Sequence, residues 1–238
     1  MPLYEPDRIE YEITSGRVQI VAGSAQLPAY WARPRLGSKF SGVVLIHDWW
    51  GLNDLIRRLA NLLAQMGHYV IAPDLFAGQT TDDPQRALRL VEELADTGYP
   101  VIDSTLTVLE NHNHSNRQVA AVGIGMGGSL AFEAAVTRTD LEAAVAFSGF
   151  PQRYFGRFQA AQTPICAFFG EDEPYIGQPI INKLRAELHK SELPHEVHVM
   201  QALGHTLLGD DLPPVQMQQS REVIKRALFF LDKHLNGE

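Results

Sequence analysis

Four loops of this 238-residue chain place polar or ionisable residues just past apolar runs. They are Ile46-His47-Asp48-Trp49-Trp50-Gly51, Val122-Gly123-Ile124-Gly125-Met126-Gly127-Gly128, Gly170-Glu171-Asp172-Glu173-Pro174 and Leu203-Gly204-His205-Thr206. The second has the spacing of a strand-to-helix turn whose apex, held between two glycines, projects a nucleophile toward substrate. The third offers carboxylates and the fourth a histidine, the residue types that orient and perform proton transfer. Gly125 holds the apex and has no side chain, so the usual covalent mechanism is unavailable at that residue. A glycine-rich turn of this kind also occurs as plain scaffold, and the remaining loops must carry the catalytic reading.

Those loops need strands and helices to position them, and the chain supplies both in alternation. Arg17 to Val21 and Leu27 to Arg33 predict a lead-in hairpin turning at Gly23-Ser24 and ended by Pro34. Continuous apolar runs at 42–47, 68–72, 118–122, 142–148, 164–169 and 195–200 predict buried strands. Helical spacing predicts helices from Asn53 to a stop at Gly67, twice between Pro84 and His112, from Ser129 to Val136, from Gln178 to Lys190, and at the C-terminus through Val223, Ala227, Phe230 and Leu231. Strands separated by helices imply an α/β chain with a mostly parallel sheet covered on both faces, in one domain over 1–238. Ligands of such sheets bind at the carboxyl ends of the strands, which is where all four loops lie.

Composition narrows the function classes. Lys+Arg 20 against Asp+Glu 28 gives a formal charge of −8, the wrong sign for a nucleic-acid backbone binder. The sole cysteine, Cys166, excludes an intrachain disulfide, and no apolar run reaches membrane-spanning length. The start Met1-Pro2-Leu3-Tyr4-Glu5-Pro6-Asp7 lacks the pattern of a secretory leader, so a soluble cytoplasmic protein with no nucleic-acid or membrane partner is expected. Its oligomeric state is left open.

Other residues could replace the missing nucleophile, and each has a plainer role. Ser129 lies about 6 Å along the helix axis from Gly125, on a turn expected to pack on the sheet. Cys166 should lie roughly 13 Å below the strand end at Gly170. Ser148 is at the correct edge, in Ala146-Phe147-Ser148-Gly149, yet reads better as a turn residue. His112 and His114 occupy a polar turn, and His195 and His198 should face opposite sides of one strand. His47, beside Asp48, is expected to line the pocket. No metal and no cofactor are expected.

The chain order of apex, acid and histidine is that of α/β-hydrolases. Taken with Leu27-Pro28-Ala29-Tyr30, His47 to Asn53, Ala72-Pro73-Asp74-Leu75-Phe76, the Gly125 turn, Gly170 to Pro174 and Gly204-His205, the sequence resembles the dienelactone hydrolase family of α/β-hydrolases over nearly its whole length. The resemblance implies an eight-stranded, mostly parallel sheet, a catalytic cysteine at the position of Gly125, Glu173 as the acid with Asp172 as fallback, and His205 as the base. It also implies that Asp48 stands in for a family glutamate, and that the amides of Trp49 and Met126 form an oxyanion hole. The arginines with which dienelactone-degrading members hold the substrate carboxylate correspond to Gly78 and Gly209, so small anionic lactones should not be favoured. Trp49 and Trp50 suggest an apolar mouth, with His47, Trp50 and Ser148 lining the pocket.

Three readings follow. The first is a small-molecule ester or lactone hydrolase acting through a water activated by His205, or through another nucleophile. The second is a catalytically silent binding protein that keeps the pocket. The third takes Gly125 as a deliberate replacement of a native nucleophile.

Overall fold

The chain alternates short buried strands with amphipathic helices, and the pairing of those strands fixes where the four loops meet. A computed structural model describes residues 10–22, 25–209 and 211–236; the expected Gly23-Ser24 turn and the Met1–Asp7 start lie outside them. Strands β1 (Ile13–Ala22) and β2 (Ala25–Pro34) pair antiparallel, and β2 pairs antiparallel with β4 (Tyr69–Pro73). Strand β4 in turn runs parallel to β3 (Phe40–Ile46), and the parallel set continues through β5 (Ser115–Ile124), β6 (Ala143–Phe147), β7 (Ile165–Gly170) and β8 (Glu196–Met200). The eight-stranded order is β1-β2-β4-β3-β5-β6-β7-β8. This is the mostly parallel sheet expected from the alternation, with the eight strands that the resemblance to α/β-hydrolases implies.

Alternation along the strands divides the core into two layers. Val44, Ala121, Ala146 and Phe169 point into one layer and Val43, Val122, Val145 and Phe168 into the other. The first layer is closed by α2 (Pro84–Leu94), α3 (Gly98–Glu110), α4 (Met126–Thr137) and α5 (Gln178–Leu188), which contribute Leu90, Ile102, Phe132 and Leu184. The second is closed by α1 (Asp54–Gln65) and α6 (Pro214–Leu235), which contribute Ile56, Leu63, Val223 and Phe230. Helix α1 starts where Asn53 Oδ1 accepts from the Ile56 amide at 3.2 Å, a side-chain cap for an otherwise unpaired donor. It stops before Gly67, whose φ of +105° few other residues adopt.

Boundaries differ from the sequence-based expectation at several points. The hairpin strands are longer, since their backbone pairing extends beyond the apolar residues that mark them in sequence. His47 and His195 lie outside β3 and β8. Short 3-10 turns at 95–97, 152–154 and 158–160 carry no strong periodic signal. Among the described residues, no helix is long and apolar enough to cross a membrane.

The order of strands decides the position of the site. From β3 the chain steps outward to β4, then crosses back over β3 to β5. The loops after β3 and β5 therefore part at a topological switch point, leaving a crevice at their carboxyl ends. Asp48 and Gly125 stand on its two sides.

Candidate active site

The turn after β5 is a sharp elbow whose outer glycines are sterically required. A Cβ on Gly123 would run into the Gly127 carbonyl, and one on Gly127 into the Ile46 carbonyl. Gly125 between them takes φ +53° and ψ −113°, and its amide donates to Phe147 O at 2.8 Å. A Cβ there would lie 3.4 Å from Asp48 Cβ and 3.9 Å from His205 Nε2, an ordinary contact distance. There is room for a side chain at the apex, directed at the histidine; only the left-handed backbone opposes one.

His205 is held from several sides. Its Nδ1 donates to both Glu173 oxygens, at 3.0 and 2.9 Å, which leaves Nε2 turned toward the apex. The Glu173 side chain is 2% exposed and also accepts from the Tyr175 amide at 3.0 Å, so its orientation is fixed. Asp172, the alternative acid, is exposed at the surface and makes no such contact with the ring. Tyr175 packs edge-on against the imidazole and Phe150 lies tilted beside it. Ser148, at φ +49°, donates from Oγ to the His205 carbonyl at 2.7 Å, so this serine braces the histidine loop.

Asp48 faces the same point. The Trp50 amide donates to its Oδ1 at 2.9 Å. Burial is the main influence on this carboxyl and pushes it up to about 6, against the opposing effects of the Trp50 amide and of His205. The pair of ionisable groups at the apex is thus a desolvated carboxyl and an imidazole already oriented by a second carboxylate.

These side chains border a cavity of about 530 Å³ lined also by Trp49, Trp50, Met126, Phe147, Ser148 and Leu208. His47, expected there, is a correction. It is fully buried beneath the loop, where Nε2 accepts from the Leu75 amide at 3.0 Å and Nδ1 therefore donates to Asp48 O at 2.7 Å. Burial lowers its pKa and keeps the ring neutral, so it shapes the Asp48 loop from behind. Ser129 is a second correction, since it lines the cavity instead of the sheet side. Its hydroxyl donates to Gly125 O at 3.3 Å and accepts from the Phe150 amide at 3.0 Å, which commits it to holding the elbow.

Phe150, Tyr175, Leu88 and Val91 also line the cavity, and no expectation singled them out. Phe150 and Tyr175 lie two residues beyond Ser148 and Glu173, a signal available in sequence. Leu88 and Val91 on α2 had none, because only tertiary packing brings that helix to the strand ends. Among the described residues, no lysine or arginine borders the cavity. Gly78 donates its amide to Asp74 Oδ2 at 2.8 Å, and neither it nor Gly209 borders the cavity.

The remaining candidates lie elsewhere. Cys166 is buried in the core, where desolvation pushes its thiol upward. His112 and His114 stack on each other at 5.7 Å, and His195 Nδ1 accepts from the Ile165 amide at 3.1 Å. Among the described residues, Cys166, Glu196 and His198 bring ligand-type atoms within 4.8 Å of one another. The Arg226 guanidinium donates to His198 Nδ1 at 3.2 Å, and His198 Nε2 in turn donates to Glu196 at 2.8 Å. That cation already compensates the cluster.

The sequence profile of the dienelactone hydrolase family matches residues 27–235. The chain belongs to the dienelactone hydrolase family. Protein usf of Aquifex pyrophilus is 25% identical over 202 residues, covering 81% of this chain and 87% of that protein. A carboxymethylenebutenolidase of Rhodococcus opacus is 28% identical over 208 residues, 81% of each chain. The solved structure of a dienelactone hydrolase-like promiscuous phosphotriesterase from metagenomic libraries superposes with a TM-score of 0.78 at 19% identity, over 91% of this chain and 98% of that one, and this likeness shows the fold.

Proposed function

We propose that this family member hydrolyses apolar esters or lactones that bear no negative charge, without an acyl-enzyme, using a water that His205 activates beside Gly125. The observation that carries the proposal is His205 itself, with Nδ1 bound to buried Glu173 and Nε2 3.9 Å from the point where an apex side chain would begin. In the proposed step, Nε2 takes a proton from water as its oxygen attacks the ester carbonyl carbon. Glu173 stabilises the imidazolium, which then protonates the departing alcohol oxygen as the carbonyl re-forms. The amides of Trp49 and Met126 are assigned to the transient oxyanion. Met126 opens α4, where a first-turn amide has no partner within the helix. The lining disfavours anionic substrates, because an anion would meet the Asp48 carboxylate and, among the described residues, no lysine or arginine.

Gly125 favours a second reading, in which the cavity binds a ligand and does not turn it over. Hydrolases stripped of one triad member retain roughly 10³ to 10⁴-fold catalysis over water, so the two readings predict different measurements. Purified parent, His205→Ala and Gly125→Cys proteins would be assayed on aryl esters and simple lactones. Turnover by the parent that His205→Ala reduces to background supports water activation. No turnover by the parent, restored in Gly125→Cys, supports the binding protein. Normal turnover in His205→Ala would refute the site assignment altogether.

A further inference from the structure

The cavity at His205 does not end at the elbow. A second one of about 560 Å³ adjoins it, and the two share Val91, Met126, Ser129 and Phe150 as lining. Together they form a groove that follows α4. Along that helix Met126, Ser129, Leu130 and Glu133 fall at i, i+3, i+4 and i+7, the spacing of a single face. The facing wall is built the same way on α2, from Leu88, Val91 and Leu94. The groove is thus apolar along both walls and changes character only at its far end.

That end is acidic and aromatic. The Glu133 carboxylate is half-buried and accepts at Oε2 from Tyr154 Oη at 3.0 Å, while Tyr99 lines the same end. Burial and the Glu133 charge both push the Tyr154 phenol upward, which keeps it a neutral donor. Arg153 and Asp96 border this cavity as well, at its exposed rim, where the guanidinium is bound to the Asp96 carboxylate at 2.9 Å and so is already paired. From Gly125 to Glu133 is eight residues, about 12 Å along the helix axis.

We infer that the groove takes an elongated ester whose acyl chain lies between α2 and α4 and ends in an alkylammonium group at Glu133. The apolar walls match the chain, the carboxylate supplies a charge-assisted acceptor, and the phenol rings of Tyr99 and Tyr154 suit a cation. The inference rests on the reading of the His205 cavity as the substrate site. It assigns to Glu133 a specificity role that lies well away from the reacting atoms.

The test compares two probes with the full chain. One is the methyl ester of an ω-amino fatty acid of about ten carbons, long enough for the 12 Å span; the other carries methyl in place of ammonium. Binding is read from Trp49 and Trp50, which border the cavity, by tryptophan fluorescence, with a short neutral aryl ester as reference. The preference for the amino ester should fall about tenfold in Glu133→Gln, with the affinity of the methyl-capped probe unchanged, since glutamine keeps the acceptor for Tyr154. An equal preference in parent and variant would overturn the inference. If the reference ester binds and the preference does not depend on Glu133, the groove assignment alone fails. If the reference ester neither binds nor is hydrolysed, the reading of the His205 cavity fails with it.

Discussion

Asp48 and Gly125 are the residues at which local physics departs furthest from what a stable fold would choose. Folding raises the Asp48 pKa from 3.8 to about 6, so the folded chain keeps a proton that the unfolded chain has lost. The contribution of Asp48 to stability is therefore greatest below pH 4 and is lost as pH rises toward 6 and above. Asp48→Asn, which keeps an acceptor for the Trp50 amide, should raise stability at pH 8 by about 1–3 kcal/mol and change it little at pH 4; denaturant melts at the two pH values check this. At the apex, Gly125→Cys should lower stability by about 1–2 kcal/mol, because a side chain is forced into the left-handed region. Its thiol, beside His205 Nε2, should nonetheless be alkylated far faster than buried Cys166, as mass spectrometry of iodoacetamide-treated parent and variant would show.

At the scale of elements, the elbow depends on backbone-to-backbone contact between β3, β5 and α4. Gly127→Ala should cost about 3 kcal/mol, roughly the upper range for overpacking, because its methyl would strike the carbonyls of Ile46, the last residue of β3, and of His47, which begins the Asp48 loop. By contrast Asn53→Ala removes one cap and should cost about 1 kcal/mol. Urea melts of the two variants check the order. The elbow was legible because glycine spacing and a buried strand are local signals. The face presented by α4 was not: the helix carries apolar residues almost all round, so nothing in its sequence said that Ser129 would face the cavity. Likewise His47 reads as a pocket residue from its position before Asp48, and only the hydrogen bond from Leu75, on a loop 28 residues away, turns it inward.

For the whole molecule, a formal charge of −8 and a cavity bordered by no lysine or arginine among the described residues act in the same direction. A carboxylate-bearing lactone should bind or react about tenfold more weakly than its methyl ester, and the difference should narrow as salt shortens the screening length from about 30 Å at 0.01 M to about 3 Å at 1 M. A titration series at several salt concentrations with the paired ligands measures it. Strand and helix periodicity and turn glycines act over a few residues, and they made legible the alternating α/β architecture, the elbow with glycine at its apex, and the loops in which polar residues follow buried strands. Tertiary structure decided which carboxylate, Glu173 or Asp172, meets His205, that Ser148 and His47 brace the site from behind, and that α2 walls the cavity. Those outcomes depend on contacts across tens of residues, and it is the crossover from β4 over β3 to β5 that opens the crevice where they meet.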